Sequence, residues 1–169
     1  MVLKCDSCLL NGRKPLFVPD WTNEPVVTPC IILRVSRLGK EIAPRFASRY
    51  FDAIAPGADF AAADLLRKVQ AEGGSWTEAI AFDYSLAIGE WSLTSEGTKN
   101  EGTMFEWEGL SKEWLLTPEE AIAQVSRVMT IRQGDLIYIQ AKQEPQPIER
   151  DQVIHATLNG EEKLYCKIK

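Results

Sequence analysis

The sequence predicts a mixed α/β fold in one globular domain, and three observations carry that expectation. Residues 30–36 form a nearly unbroken apolar, β-branched run, the pattern of a strand buried on both faces. Residues 42–54 and 62–69 space their apolar side chains like amphipathic helices, and a third helix opens on a capping sequence at Thr117. The last third alternates strand-like segments with turns, including the hairpin signal Asn159-Gly160. With 169 residues, 45% of them hydrophobic and 25% charged, the chain can bury one full core and needs no second domain.

Composition also excludes partners. A net charge of -5 and a pI near 5.0 argue against nucleic acid, because phosphate binding needs a basic face and the lysines and arginines here are interleaved with acids. The N-terminal MVLKCDSCLL is too short and polar for a signal peptide, and no window reaches the roughly 18 apolar residues of a membrane span, so a cytoplasmic protein is expected.

In chain order, Cys5 and Cys8 have C-x-x-C spacing, which suits zinc knuckles and redox pairs alike. Four zinc ligands are not in view, because Cys30 and Cys166 stand singly in strand-like segments and His155 is the only histidine. A redox motif should open a helix, whereas Leu9-Leu10-Asn11-Gly12 leads into a turn, so the thiols are read as reduced, buried or at the surface. Residues 14–18 suggest a short strand, 19–25 a turn-rich connection, and 30–36 the core strand.

Ile42, Phe46, Tyr50 and Ile54 recur every four residues, predicting a helix that Pro56-Gly57 closes. Asp59 then ends a loop and starts a helix whose buried face is Ala62, Leu65, Leu66 and Val69, with Gly73 and Gly74 as its stop. Asp83 follows in a turn before an apolar strand over 86–91. Residues 96–102 read as a hairpin loop between strands at 90–93 and 104–107.

Thr117, Pro118 and Glu120 supply an N-cap, an N1 proline and an N3 acid for a helix buried through Ile122, Val125 and Val128 and stopped at Gln133-Gly134-Asp135. Strands at 136–139, 153–158 and 163–168 complete the chain, with a proline-stiffened loop over 143–147. His155 is read as a sheet-packing residue, since no second histidine or acid partner is evident.

Several of these segments carry a resemblance. Gly57, Asp59, Phe60, Asp64 and Leu65, then Phe82-Asp83-Tyr84-Ser85 and Ile88-Gly89-Glu90-Trp91, resemble in order and spacing the fumarylacetoacetate hydrolase family. Lys4-Cys5-Asp6-Ser7 is similar to its K-P-x-S segment, residues 126–130 to its S-x-x-M-T helix end, and 134–137 to its G-D-x-I strand entry. The resemblance implies a mainly β fold, a rolled mixed sheet with a few flanking helices, commonly paired as a homodimer.

It also implies an activity to look for. Enzymes of that family hold magnesium or manganese with an E-x-E pair on a strand and the aspartate of G-x-D. They cleave, decarboxylate or isomerise small 2-oxo acids such as acylpyruvates, with a lysine from K-x-F-D supporting substrate and an N-terminal histidine as base. Carried over, the glutamate positions hold Thr28 and Cys30, the lysine position Ile80 and the T-A-R-D arginine position Ala63, with Leu66 where glutamine is usual. Gln140-Ala141-Lys142 replaces G-T-P, the histidine segment would lie ahead of Met1, and Asp59 is the one metal ligand retained.

Magnesium needs several hard oxygen ligands to offset its dehydration, so Asp59 with Thr28 and Cys30 should hold it poorly. The leading expectation is a protein with a degraded metal site and no cofactor, a non-catalytic binding or assembly partner for itself or an active relative. Asp59 is then a helix N-cap and Asp83 a turn former. The alternative is a magnesium- or manganese-dependent enzyme acting on 2-oxo acids through a site rebuilt from Asp59, Asp83, Cys30 and Lys142. A third reading is a metal-free small-molecule pocket, apolar where Ile80 and Ala63 stand.

Overall fold

The computed structural model describes residues 1–94, 106–107, 113–158 and 160–169. A 3₁₀ turn, Asp6–Cys8, leads into strand β1 (Leu9–Asn11), and after an irregular stretch the chain enters β2 (Pro25–Val35). A single helical turn, α1 (Pro44–Ala47), precedes the longest strand, β3 (Phe51–Ala62), which runs directly into α2 (Ala63–Glu72). Then come α3 (Thr77–Ile80), β4 (Leu86–Ile88), β5 (Ser92–Leu93), β6 (Glu106–Trp107), α4 (Pro118–Val128), β7 (Leu136–Gln140), β8 (Gln146–Pro147), β9 (Val153–Leu158) and β10 (Glu161–Lys167).

The mixed α/β, mainly β expectation holds. Among the described residues one sheet runs β1-β4-β3-β2-β7, with β5 added to β3 and β8 to β2, and a second runs β10-β9-β6. It is a mixed sheet, since β1 and β4 are parallel while β2 and β3 are antiparallel over their whole lengths. Alternate residues of β2 therefore serve two cores. Val27, Ile31, Leu33 and Val35 join Ile54, Phe60 and Ile122 on one face, and Cys30 and Ile32 join Ala55, Leu86 and Ile88 on the other.

The 42–54 helix is not formed. Its helical part stops at Ala47, Phe46 is exposed, and Phe51 onward is strand. Sheet pairing overrides the period: Gly57 and Ala58 are small enough to sit between β2 and β4, and Ala53 between β2 and β5. Pro56, read as a helix stop, lies where β3 changes partner, between Ile54 facing β5 and Gly57 facing β4, so its missing N–H costs no ladder bond. Pro29 does the same in β2, between the stretches that meet β8 and β7, and its carbonyl accepts from Ala141 N at 2.8 Å.

Asp59 is likewise inside β3, opposite Thr28, and caps nothing. Asp64, in the first turn of α2, ties the helix start to the preceding loop: its carboxylate accepts from Thr22 Oγ1 at 2.6 Å, Asn23 N at 2.9 Å and Leu65 N at 2.9 Å. The end of α2 is as expected, with Gly73 at φ 72° and Gly74 N donating to Val69 O at 2.8 Å. Leu65, Leu66 and Val69 are only half-buried, so the helix lies shallowly on the sheet.

The Thr117 capping box is present in both directions. Its helix buries Ile122 but leaves Val128 exposed, and it ends at Val128, ahead of Gln133. Residues 14–18 contribute one bridge, Leu16 to Ile168, in place of a strand. Of the expected 90–107 hairpin, β5 lies on β3 and β6 on β9 among the described residues, while its loop and residues 104–105 fall outside them. The last two strands pair as expected, Gly160 at φ 80°, with Asn159 of the turn outside the described residues.

Candidate functional site

Register alone assembles the site. Thr28 faces Asp59 across β2 and β3, Cys30 faces Gly57 on one side and Gln140 on the other, and Leu86 faces Asp59 from β4. Directly paired residues share a face, so Thr28, Cys30, Asp59, Gln140 and Leu86 line one patch of sheet. Gly57 makes it possible: a Cβ there would lie 2.5 Å from Ile32 Cδ1 and 2.8 Å from Cys30 Sγ.

A lysine caps this patch. The Lys4 ammonium stands 2.8 Å from Asp59 Oδ1, with both side chains almost fully buried. It also donates to Ser85 Oγ at 2.8 Å, to Ser85 O at 3.2 Å and to Ile80 O. Gln140 Nε2 donates to the other carboxylate oxygen of Asp59 at 2.6 Å. The N-terminal segment reaches this place because β1 pairs with β4 and Tyr84 N donates to Ser7 O at 3.0 Å.

Burial raises the Asp59 carboxyl above its usual range, and Lys4 and then Gln140 oppose that rise. The Cys30 thiol is pushed well up, first by burial and then by the Asp59 charge, so it is a neutral packing group at ordinary pH. Tyr138, two residues before Gln140 on the same face, has its phenol raised by burial and then by Asp59. Its Oη is buried with no hydrogen-bond partner among the described residues. Lys4, Leu9, Leu86, Val125, Tyr138 and Gln140 are among the walls of a cavity of about 610 Å³.

Of the residues predicted from sequence, Thr28, Cys30 and Asp59 converge, and Ile80 contributes its carbonyl to Lys4. Ala63 opens α2, and Ala141 is buried with its N–H on Pro29 O. Asp83 is an exposed turn residue. Lys142 is exposed and 3.9 Å from Glu113, so the rebuilt cluster of Asp59, Asp83, Cys30 and Lys142 does not assemble. Lys4, Gln140, Ser85 and Tyr138 were missed. Lys4, Ser85 and Gln140 had a signal, their places in the K-P-x-S-like, F-D-x-S and G-T-P-aligned segments, and Tyr138 had none.

This donor set does not fit magnesium or manganese. A threonine hydroxyl and a neutral thiol stand where carboxylates would be needed, and the remaining carboxylate has an ammonium on one oxygen and an amide on the other. Among the described residues no three His, Cys, Asp or Glu side chains gather as a metal site.

Comparison with known proteins gives the fold its relatives. The chain is similar to fumarylpyruvate hydrolase from Pseudomonas aeruginosa, solved in complex with Mn2+ and pyruvate, at 18% identity and TM-score 0.82, covering 98% of this chain and 76% of that one. It is similar to 5-carboxymethyl-2-hydroxymuconate delta-isomerase from Mycobacterium smegmatis at 20% identity and TM-score 0.78, covering 99% and 67%. A yeast fumarylacetoacetate hydrolase family protein matches at 14% identity and TM-score 0.82, covering 99% and 84%. No curated protein matches. Residues 1–141 match the family described as "Fumarylacetoacetate (FAA) hydrolase C-terminal", and with most of its length matched the chain belongs to the fumarylacetoacetate hydrolase family.

Proposed function

We propose that this chain uses the fumarylacetoacetate hydrolase fold as a non-catalytic binding or assembly partner, with a pocket that works without metal. One observation supports this reading above the others: Lys4 and Gln140 take both oxygens of Asp59. An internal ammonium thus supplies the positive charge that a divalent ion would bring to this carboxylate, and it is tethered. The protein is read as cytoplasmic and homodimeric, with an active relative as a second candidate partner. None of the helices among the described residues is long and apolar enough to cross a membrane.

The competing reading is a metal-dependent enzyme acting on small 2-oxo acids, the ligand class of the manganese- and pyruvate-bound neighbour. A manganese titration of the purified chain, by calorimetry or electron spin resonance with an active relative as control, separates the two. We expect no saturable binding up to millimolar metal. Micromolar binding that disappears in Asp59→Ala would overturn the proposal and direct attention to turnover of acylpyruvates.

A further inference from the structure

The Cys5-Asp6-Ser7-Cys8 segment, read from sequence as reduced thiols, folds so that its two sulfurs face each other. The 3₁₀ turn brings Cys5 Sγ to 3.4 Å from Cys8 Sγ and to 3.3 Å from Ser7 Oγ. The turn is fixed from both sides, by Cys8 N donating to Cys5 O at 3.0 Å and by Tyr84 N donating to Ser7 O at 3.0 Å. Cys5 is exposed and Cys8 is fully buried. A disulfide needs about 2.0 Å between sulfurs, so side-chain rotation has little left to close.

We propose that Cys5 and Cys8 form a reversible dithiol–disulfide pair, in which Cys5 attacks a small-molecule disulfide and Cys8 resolves the intermediate. The environment divides the roles. Cys5 is the accessible sulfur, and the Ser7 hydroxyl and then Cys8 lower its thiol. Cys8 is shielded, and burial raises its thiol first among causes. Cys5 thiolate displaces one thiolate from a disulfide of the glutathione type and becomes a mixed disulfide. Cys8 then attacks the Cys5 sulfur, its proton leaving with the second thiolate. The protein loses two protons and two electrons, and the oxidant takes them up to become two thiols. Cys30 and Cys166, buried in strands β2 and β10, stay outside the exchange.

The test equilibrates the full chain in reduced and oxidised glutathione at graded ratios, quenches with acid, alkylates under denaturing conditions and reads the N-terminal peptide by mass spectrometry. The expected product is a peptide two hydrogens lighter and closed to alkylation at both cysteines. Its fraction should rise from one-tenth to nine-tenths over about an eightyfold change in oxidised glutathione relative to the square of reduced. Cys8→Ser should accumulate a glutathione adduct on Cys5, and Cys5→Ser should leave Cys8 unmodified. Two alkylated cysteines at every ratio, a lasting adduct in the unaltered chain, or an adduct on Cys8 in Cys5→Ser would each overturn the proposal.

Discussion

A buried lysine needs an anion beside it, and a buried aspartate a cation, so Lys4 and Asp59 are tied energetically more than any exposed pair in the chain. Lys4→Met leaves the carboxylate without its cation and should cost about 3–5 kcal/mol in urea unfolding, whereas Lys4→Met combined with Asp59→Leu should return to within about 2 kcal/mol of the unaltered protein. A single-variant loss under about 0.5 kcal/mol would mean the pair is screened by solvent. The pH dependence has a definite sign. Burial raises the Asp59 carboxyl, and a raised carboxyl contributes stability at low pH that is lost as pH rises through its folded value. Removing Lys4 raises it further, so the Lys4→Met deficit should be smallest in acid and grow as pH rises through the folded value of Asp59, followed by unfolding at a series of pH values.

Elements divide into those whose signals are local and those set by partners. The α4 cap, the glycine stop of α2 and the core strand β2 were legible, because a Thr-Pro-x-Glu start, a left-handed glycine and a β-branched run each act within a few residues. β3 was not, because its alanines, Pro56 and Gly57 carry weak strand propensity and gain their place only from neighbours on both sides. Gly57→Ala tests that account: the new methyl meets Ile32 Cδ1 and Cys30 Sγ, so the variant should lose about 1–3 kcal/mol. Gly57→Ala with Ile32→Val should recover only part of that loss in the same unfolding assay, because Cys30 Sγ at 2.8 Å and the Cγ1 position of residue 32 at 2.9 Å still crowd the new methyl. At α2, Asp64→Ala removes the acceptor for Thr22, Asn23 and Leu65 and should cost about 1 kcal/mol. Those bonds lower the Asp64 carboxyl, so its contribution is present above its unfolded value and fades as pH falls through its folded one.

At the scale of the molecule, the resemblance located Thr28, Cys30 and Asp59 as one site, and sheet register brings them together. What it did not convey is the occupant of Asp59. Lys4 lies 55 positions earlier and comes over the patch only because β1 pairs in parallel with β4, a contact that no local spacing encodes. This separates two reasons for poor metal affinity, the missing strand carboxylates and the competing ammonium, and one variant weighs them. Thr28→Glu with Cys30→Glu restores the E-x-E positions while keeping Lys4. Without metal it places two more carboxylates beside Asp59, so it should melt lower than the unaltered chain, with circular dichroism confirming that it folds. If the carboxylates are decisive, manganese should raise its melting temperature in a saturable way, approaching about 4 kcal/mol of stabilisation at a thousandfold excess over the dissociation constant. If the variant folds yet gains nothing from manganese, Lys4 alone is enough to keep the site closed, and Lys4→Ala in that background should then open it.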